Sequence, residues 1–113
     1  MSQLQTAEPD WLAIDGVDPS SATFPVEVEV GGVPILVLKT KDGYRGCDPF
    51  CPHQKVHLSS GTLMSGDTMI RCSRHNFIFR LSDGAGVNCV GMKLDVYEVR
   101  ERDGRLEVAL PSA

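Results

Sequence analysis

Two short stretches, C-P-H at residues 51–53 and C-S-R-H at residues 72–75, carry side chains that commonly bind metals in proteins. Each pair is short enough for one loop to direct both of its side chains at the same point. Two such loops facing each other would bring together two thiolates and two imidazoles, a set that two irons can share. Zinc accepts the same ligand types, but structural zinc sites usually pair cysteine with cysteine and histidine with histidine. The mixed pairs therefore favour an iron–sulfur cluster, with zinc as the alternative. The candidate ligands are Cys51, His53, Cys72 and His75.

The sequence on either side of these stretches alternates between apolar and polar residues. Residues 24–30 (F-P-V-E-V-E-V) and 94–99 (L-D-V-Y-E-V) show the alternation most clearly, and a period of two is typical of half-buried β-strands. Turns rich in glycine, such as residues 31–32, separate the strands. Further strands are predicted at residues 33–40, 67–70, 77–79 and 106–108. No window has the period of an amphipathic helix, so the predicted fold class is all-β.

The middle of the chain, about residues 46–91, is rich in glycine and proline and holds every histidine and cysteine. Loops of this composition are where a rigid scaffold presents a site. A chain of 113 residues supports one domain, and neither an internal repeat nor a linker divides it. We therefore predict a single domain over residues 1–113, in which strands at both ends enclose a cluster-binding subdomain.

The overall charge narrows the choice of partners. The formal net charge is −4 and the pI is about 5.2, and an acidic surface repels nucleic acid and anionic membranes. No stretch reaches the roughly 20 apolar residues that cross a bilayer, and residues 1–8 lack the features of a signal peptide. We predict a cytoplasmic protein with no nucleic-acid or membrane partner. In that compartment Cys47 and Cys89 are expected to be free thiols, with a disulfide or a redox role as the alternatives.

The residues around the candidate ligands resemble those of the Rieske [2Fe–2S] proteins. L-S-S-G at residues 58–61 is similar to the turn after the first ligand pair of that family, and Phe77 and Phe79 are similar to the aromatic residues after the second. Residues 94–99 look like the closing L-x-x-Y-x-V strand. The resemblance covers about residues 24–109. It implies the Rieske fold, an antiparallel β-sandwich of short strands with a loop-rich cluster-binding subdomain inserted, and one [2Fe–2S] cluster.

In that family each ligand loop gives a cysteine to one iron and a histidine to the other. Carried over by position, Cys51 and Cys72 would hold the buried iron. His53 and His75 would hold the outer iron, nearer the surface, where an electron can leave.

Some positions depart from the family pattern. Asn76 stands where glycine is common, and Cys89 stands near a position that usually holds proline in the third loop. The chain between the two ligand pairs is slightly longer than usual, and the extra residues are expected at a hairpin tip around residues 65–67. His57 is predicted to be a solvated loop histidine, with a spare ligand or a proton acceptor as the alternatives.

Four positions in the two ligand regions indicate the kind of Rieske protein. Respiratory members carry a disulfide between the ligand loops, at positions that Val56 and Arg74 occupy here, so this disulfide cannot form. High-potential members place hydroxyl groups near the cluster sulfurs, at positions that Phe77 and Phe79 occupy here. Because phenylalanine offers no hydrogen-bond donor, the reduced cluster is less stabilised and the expected reduction potential is low.

With a low expected potential, a small size and no membrane anchor, the chain resembles a ferredoxin that donates electrons to an oxygenase. The resemblance implies a protein that is not itself an enzyme. It would carry single electrons from an NAD(P)H-dependent flavin reductase to a terminal oxygenase that hydroxylates aromatic or related hydrocarbons. C-P-H-Q at residues 51–54 and G-A-G-V-N at residues 84–88 look most like ferredoxins of bacterial aromatic monooxygenase systems.

Such a carrier is expected to be a monomer that docks transiently on each partner, and we predict that Asp48 and Asp83 help this docking. One alternative is a Rieske-like small subunit of an assimilatory nitrite reductase. The other is a zinc-stabilised binding module with no redox role.

Overall fold

The computed structural model describes residues 10–41, 43–52, 57–64, 66–73, 76–89 and 91–110. In these residues the regular structure consists of β-strands and one short 3₁₀ turn, η1 at Leu58–Ser60. The strands are β1 (Asp10–Ile14), β2 (Val26–Val30), β3 (Val33–Thr40), β4 (Gly43–Cys47), β5 (Thr62–Met64), β6 (Met69–Arg71), β7 (Ile78–Arg80), β8 (Val96–Arg102) and β9 (Arg105–Leu110). None of the described residues forms a helix long and apolar enough to span a membrane. The all-β prediction is confirmed.

The strands pair antiparallel and form two sheets of unequal size. The large sheet has the order β1-β9-β8-β4-β3-β2, and the small sheet has the order β5-β6-β7. In the large sheet β4 and β8 are hydrogen-bonded neighbours, although the whole small sheet lies between them in the chain. The two edge strands of the large sheet, β1 and β2, contact each other. The large sheet is therefore curled, and the small sheet with its loops is an insertion between two of its central strands.

Strand β3 supplies apolar side chains to both faces of the curled sheet. Its register with β2 pairs Ile35 with Val28 and Val37 with Val26, and these side chains face the interior of the curl. Leu36 alternates to the outer face, where it joins a second buried cluster. Residues 35–38 are all buried, which accounts for the continuous apolar run that β3 shows in the sequence.

The second cluster joins the large sheet to the insertion, and we call it the shared core. It consists of Leu36, Leu38, Cys47, Cys51, Leu58, Ile70, Cys72, Phe79, Leu81, Cys89 and Leu94. Full burial of a side chain such as Phe79 is worth about 1.5–3 kcal/mol. Burial of the small-sheet side chains against Leu36 and Leu38 is therefore what holds the insertion on the outer face of the large sheet.

Two strands of the large sheet, β1 and β4, were missing from the sequence prediction. The sequence of β4, G-Y-R-G-C, contains two glycines and does not alternate, so it reads as the continuation of a turn. Gly46 lies at the centre of the sheet, where a Cβ would be 3.1 Å from side-chain carbons of both Ile35 and Val99. Glycine stands in this strand because neighbouring side chains approach its backbone closely.

The segment between β7 and β8, residues 81–95, forms a third loop beside the two ligand loops. Gly84 N donates a hydrogen bond to Arg80 O at 2.7 Å, and Leu94 N donates to Gly84 O at 2.8 Å. Gly84 has a φ of +80°, and a Cβ there would lie 1.7 Å from the carbonyl oxygen of Leu94. No side chain can be placed at this position without moving the backbone.

Replacement of Gly84 by alanine tests this close approach. We expect Gly84→Ala to lower the free energy of unfolding by more than about 3 kcal/mol, because it adds a backbone clash to the strain of a positive φ. Gly104 is the matched control, since it has a φ of +77° and nothing within 4 Å of its Cβ position. Gly104→Ala should cost only about 1–2 kcal/mol of backbone strain. Urea unfolding measures both, and equal losses would show that the third loop can move away from Leu94.

Candidate metal centre

The first ligand loop, residues 48–57, joins β4 to η1 and carries the first predicted cysteine ligand. Backbone contacts close it at its base. Leu58 N donates a hydrogen bond to Pro49 O at 2.7 Å, and Phe50 pairs with His57 as an isolated antiparallel β-bridge. The two ends of this loop are therefore held together by the backbone.

The second ligand loop, residues 72–77, is the tip of the β6–β7 hairpin. Cys72 N donates to Phe77 O at 2.8 Å, and Asn76 N donates to Cys72 O at 3.0 Å. Asn76 has a φ of +58°, in the left-handed region that glycine adopts freely and asparagine tolerates. This conformation explains why asparagine can stand where the family commonly has glycine.

The third loop lies alongside β7 and is tied to the second ligand loop by one side chain. Val87 N donates to Ile78 O at 2.8 Å. The Asn88 amide then bridges two groups: its Oδ1 accepts from Ile78 N at 2.9 Å, and its Nδ2 donates to Asn76 O at 2.9 Å. No bridging role is predicted for Asn88 from the sequence, because a single asparagine in a glycine-rich loop does not indicate its distant partners.

Of the four predicted ligands, the structure describes the two cysteines. Cys51 is 1% exposed and Cys72 is 0% exposed, and both side chains belong to the shared core. The fold thus brings together two cysteines that lie on separate loops. The predicted ligands His53 and His75, and the disulfide positions Val56 and Arg74, lie outside the described residues.

This arrangement fits the thiolate side of a [2Fe–2S] cluster. Cysteine thiolates are the usual ligands of such clusters, and both thiols lie in an apolar cluster that also contains Leu58 and Phe79. A metal bound there would compensate the charge of the two thiolates that hold it. An apolar surrounding also limits the access of water to a bound cluster.

The remaining two cysteines, Cys47 and Cys89, also belong to the shared core. All four cysteines lie within the described residues, and none of them is in a disulfide. Burial raises the pKa of the Cys47 thiol to about 12, with a smaller contribution from the Asp48 carboxylate. Cys47 is therefore protonated at neutral pH, and a protonated thiol is not a nucleophile. Cys89 lies in the third loop, with its Sγ 4.0 Å from Ile78 O. These two residues are natural controls for the predicted ligands.

His57 differs from the predicted solvated loop histidine, because both of its ring nitrogens have protein partners. Nε2 lies 2.7 Å from Oε1 of Glu27 on β2. Nδ1 lies 2.7 Å from Oγ of Ser59 and accepts a hydrogen bond from Ser59 N at 3.1 Å. A ring with both nitrogens engaged is poorly placed to be a spare metal ligand. No contact with His57 was predicted for Glu27, because in the sequence it has the pattern of an ordinary solvent-facing residue of an alternating strand.

The two carboxylates predicted to help docking have different surroundings. Asp83 Oδ2 lies 2.7 Å from an Arg80 guanidinium nitrogen. The Ala85 N–H, and then Arg80, hold the pKa of the Asp83 carboxyl below its ordinary value. Asp48 accepts a hydrogen bond from Phe50 N at 2.9 Å, and within the described part of the chain no cation is paired with it. Arg80 offsets the charge of Asp83, so of these two carboxylates Asp48 carries the less compensated charge.

Comparison with known proteins identifies the family. The family model of the Rieske [2Fe–2S] domain matches residues 10–105, and the chain belongs to this family. The cofactor of such a domain is one Rieske-type [2Fe–2S] cluster.

Three similar proteins illustrate the relationship. The ferredoxin component of the alkene monooxygenase system of Xanthobacter autotrophicus is 30% identical over 78 residues, which cover 69% of this chain and 63% of that protein. A chain of the complex of reduced oxygenase and oxidized ferredoxin in carbazole 1,9a-dioxygenase is 29% identical, with a TM-score of 0.66, and the match covers 82% of this chain and 98% of that chain. A protein described as an NADH-dependent nitrite reductase small subunit from Mycobacterium tuberculosis is 20% identical, with a TM-score of 0.78, and the match covers 95% of this chain and 100% of that chain. This last likeness shows a shared fold.

The bridge made by Asn88 can be tested by removing its side chain. We expect Asn88→Ala to lower the free energy of unfolding by about 1–3 kcal/mol, because Ile78 N–H loses its acceptor and Asn76 O loses its donor. Val87→Ala is the matched control: it trims a neighbouring side chain that is 49% exposed and should change stability by no more than about 0.5 kcal/mol. Urea unfolding compares the two. The same midpoint for both variants would contradict a bridging role.

Proposed function

We propose that this chain is a Rieske ferredoxin of an oxygenase system. It would carry single electrons from an NAD(P)H-dependent flavin reductase to a terminal oxygenase, as a monomer that docks transiently on each. The observation that carries the proposal is the burial of Cys51 and Cys72, from two separate loops, in one apolar core. The alkene monooxygenase relative and the carbazole dioxygenase ferredoxin complex support the oxygenase assignment.

We further propose that residues 46–91 act as the cluster-binding subdomain of a single domain. The proposed ligands are Cys51, His53, Cys72 and His75. When bound, the cluster supplies one-electron chemistry, in which one iron changes oxidation state. The chain itself needs no acid or base for this: the two ligand loops hold the ligands in place, and the shared core keeps water from the cysteine side.

Each proposed cysteine ligand can be tested against a cysteine of the same core. Cys51→Ser and Cys72→Ser should each abolish cluster assembly, whereas Cys47→Ser and Cys89→Ser should retain it, because the latter pair is not proposed to bind iron. The measurements are iron and labile sulfide per chain after anaerobic purification, and EPR after reduction with dithionite. Two irons and two sulfides in the unmodified chain, with the low average g value of histidine-ligated clusters, are the expected result. A colourless, EPR-silent protein with one zinc would instead establish the binding module.

The reduction potential depends on hydrogen bonds to the cluster sulfurs, because these bonds stabilise the more negative reduced state. Phe79 is fully buried in the shared core, and Phe77 packs against the same core. Neither ring offers an N–H or O–H donor. These two positions therefore favour a potential near the lower end of the Rieske range of about −150 to +300 mV.

Substitution at Phe79 tests this account of the potential. Phe79→Tyr adds one O–H donor within the core and should raise the potential, whereas Phe79→Leu adds none and should leave it nearly unchanged. Both are compared with the unmodified chain by a redox titration followed by circular dichroism. A potential of the unmodified chain above the middle of the Rieske range would rule out the low-potential assignment.

The fold shared with the nitrite reductase small subunit supports a second candidate function. The two candidates differ in how firmly the partner is held. A subunit is expected to co-purify with a larger catalytic chain, whereas a carrier that serves two partners in turn must leave each of them. Retention of cysteine and histidine at all four ligand positions favours the carrier.

A further inference from the structure

We propose that Glu27 and His57 form a clamp that positions the first ligand loop for the cluster. The proposal rests on the proposed function, since it takes Cys51 and His53 of that loop as ligands. Neither Glu27 nor His57 binds the metal in this proposal. Both act as positioning residues, which hold the loop on the edge of the large sheet.

The hydrogen bonds of the His57 ring determine which of its nitrogens carries the proton. Nδ1 accepts from the Ser59 N–H at 3.1 Å, and the Ser59 hydroxyl lies 2.7 Å from the same atom. A neutral ring with Nδ1 as acceptor carries its proton on Nε2. That Nε2–H then donates to Glu27 Oε1 at 2.7 Å. A carboxylate on the sheet therefore fixes both the tautomer and the direction of the ring.

The ring is coupled to the backbone of the turn that ends the loop. His57 caps η1, because its Nδ1 accepts from Ser59 N, a task more often done by serine, threonine or aspartate. The turn places Leu58 in the shared core, 1% exposed. Leu58 N closes the ligand loop on Pro49 O. Movement of the His57 ring would therefore disturb the same turn that closes the loop.

Glu27 attaches the clamp to the large sheet through its position on β2. Glu27 is paired with Leu36 in the β2–β3 register, and Leu36 belongs to the shared core. The carboxylate thus stands at the border between the large sheet and the insertion. The His57 ring also packs against the ligand loop. It makes an edge-to-face contact with Phe50, with ring centroids 5.2 Å apart.

The clamp is partly open to water, which limits its strength. The His57 and Glu27 side chains are 34% and 45% exposed. An exposed pair of this kind changes a rate or equilibrium constant by up to about fivefold, equivalent to about 1 kcal/mol. We therefore expect a local loosening of the loop when the clamp is removed, without unfolding of the chain.

The test uses the cluster-loaded protein, four single variants and one double variant, Glu27→Ala with His57→Phe. Glu27→Ala removes the carboxylate, and Glu27→Gln keeps an acceptor oxygen without the charge. Glu29→Ala is the matched control, because Glu29 is exposed on the same face of β2. His57→Phe keeps a ring beside Phe50 but removes both nitrogens. The readouts are the rate of iron loss to a chelator, the EPR spectrum of the reduced protein, and hydrogen exchange of the amides at residues 57–61.

We expect Glu27→Ala to lose iron faster than Glu29→Ala, by up to about fivefold, with a broader EPR spectrum and faster exchange of the Ser59 and Gly61 amides. Glu27→Gln should restore most of this protection. In the His57→Phe background, Glu27→Ala should add nothing further, because the two residues act as one pair.

Equal iron loss and equal exchange in Glu27→Ala and Glu29→Ala would overturn the clamp. An undiminished effect of Glu27→Ala in the His57→Phe background would also overturn it, since Glu27 would then act through another residue. An unmodified chain without iron and sulfide would instead overturn the proposed function. The exchange readout separates the two failures, because it reports the loop backbone whether or not a cluster is bound.

Discussion

The burial of two cysteine side chains in the shared core is the constraint on which the rest of the structure depends. The apolar packing around these cysteines excludes water from the loops that carry them, so the polar backbone groups of those loops need partners inside the protein. The bonds from Leu58 N to Pro49 O and from Cys72 N to Phe77 O meet this need. Each of them also closes a ligand loop, so the same bonds satisfy the backbone and hold the cysteines in position.

In the third loop, two glycines lie very close to backbone carbonyl groups. A Cβ at Gly84 would lie 1.7 Å from the carbonyl oxygen of Leu94, and a Cβ at Gly86 would lie 2.6 Å from that of Cys89. These contacts leave no room for side chains at either glycine. Asn88 then connects this packed segment to the second ligand loop. The glycine-rich run of this loop is therefore a packing requirement of the site, beyond its value as a family resemblance.

Strands could be predicted from the sequence where a few neighbouring residues show which side chains are buried. The alternation of β2 and β8 and the continuous apolar run of β3 depend on which faces are buried, and that pattern is visible in a few neighbouring residues. Strand β4 was missed because the reason for its glycine lies in other strands. The side chains of Ile35 and Val99 pack closely against the backbone of Gly46. Strand β1 was missed because its sequence, D-W-L-A-I, does not alternate. Its strand conformation comes from pairing with β9.

The sequence by itself determined the chemistry of the candidate site and the kind of fold around it. Two mixed cysteine–histidine pairs at short spacing predict a metal site between two facing loops, and alternating strands on both sides predict a β scaffold. Only the tertiary structure decided which distant side chains support those loops. His57 and Glu27 are 30 positions apart, and Asn88 reaches Asn76 across 12 positions. Such contacts arise when the insertion packs on the large sheet, and no local pattern encodes them, because a short polar side chain on a strand or loop looks the same with or without a partner.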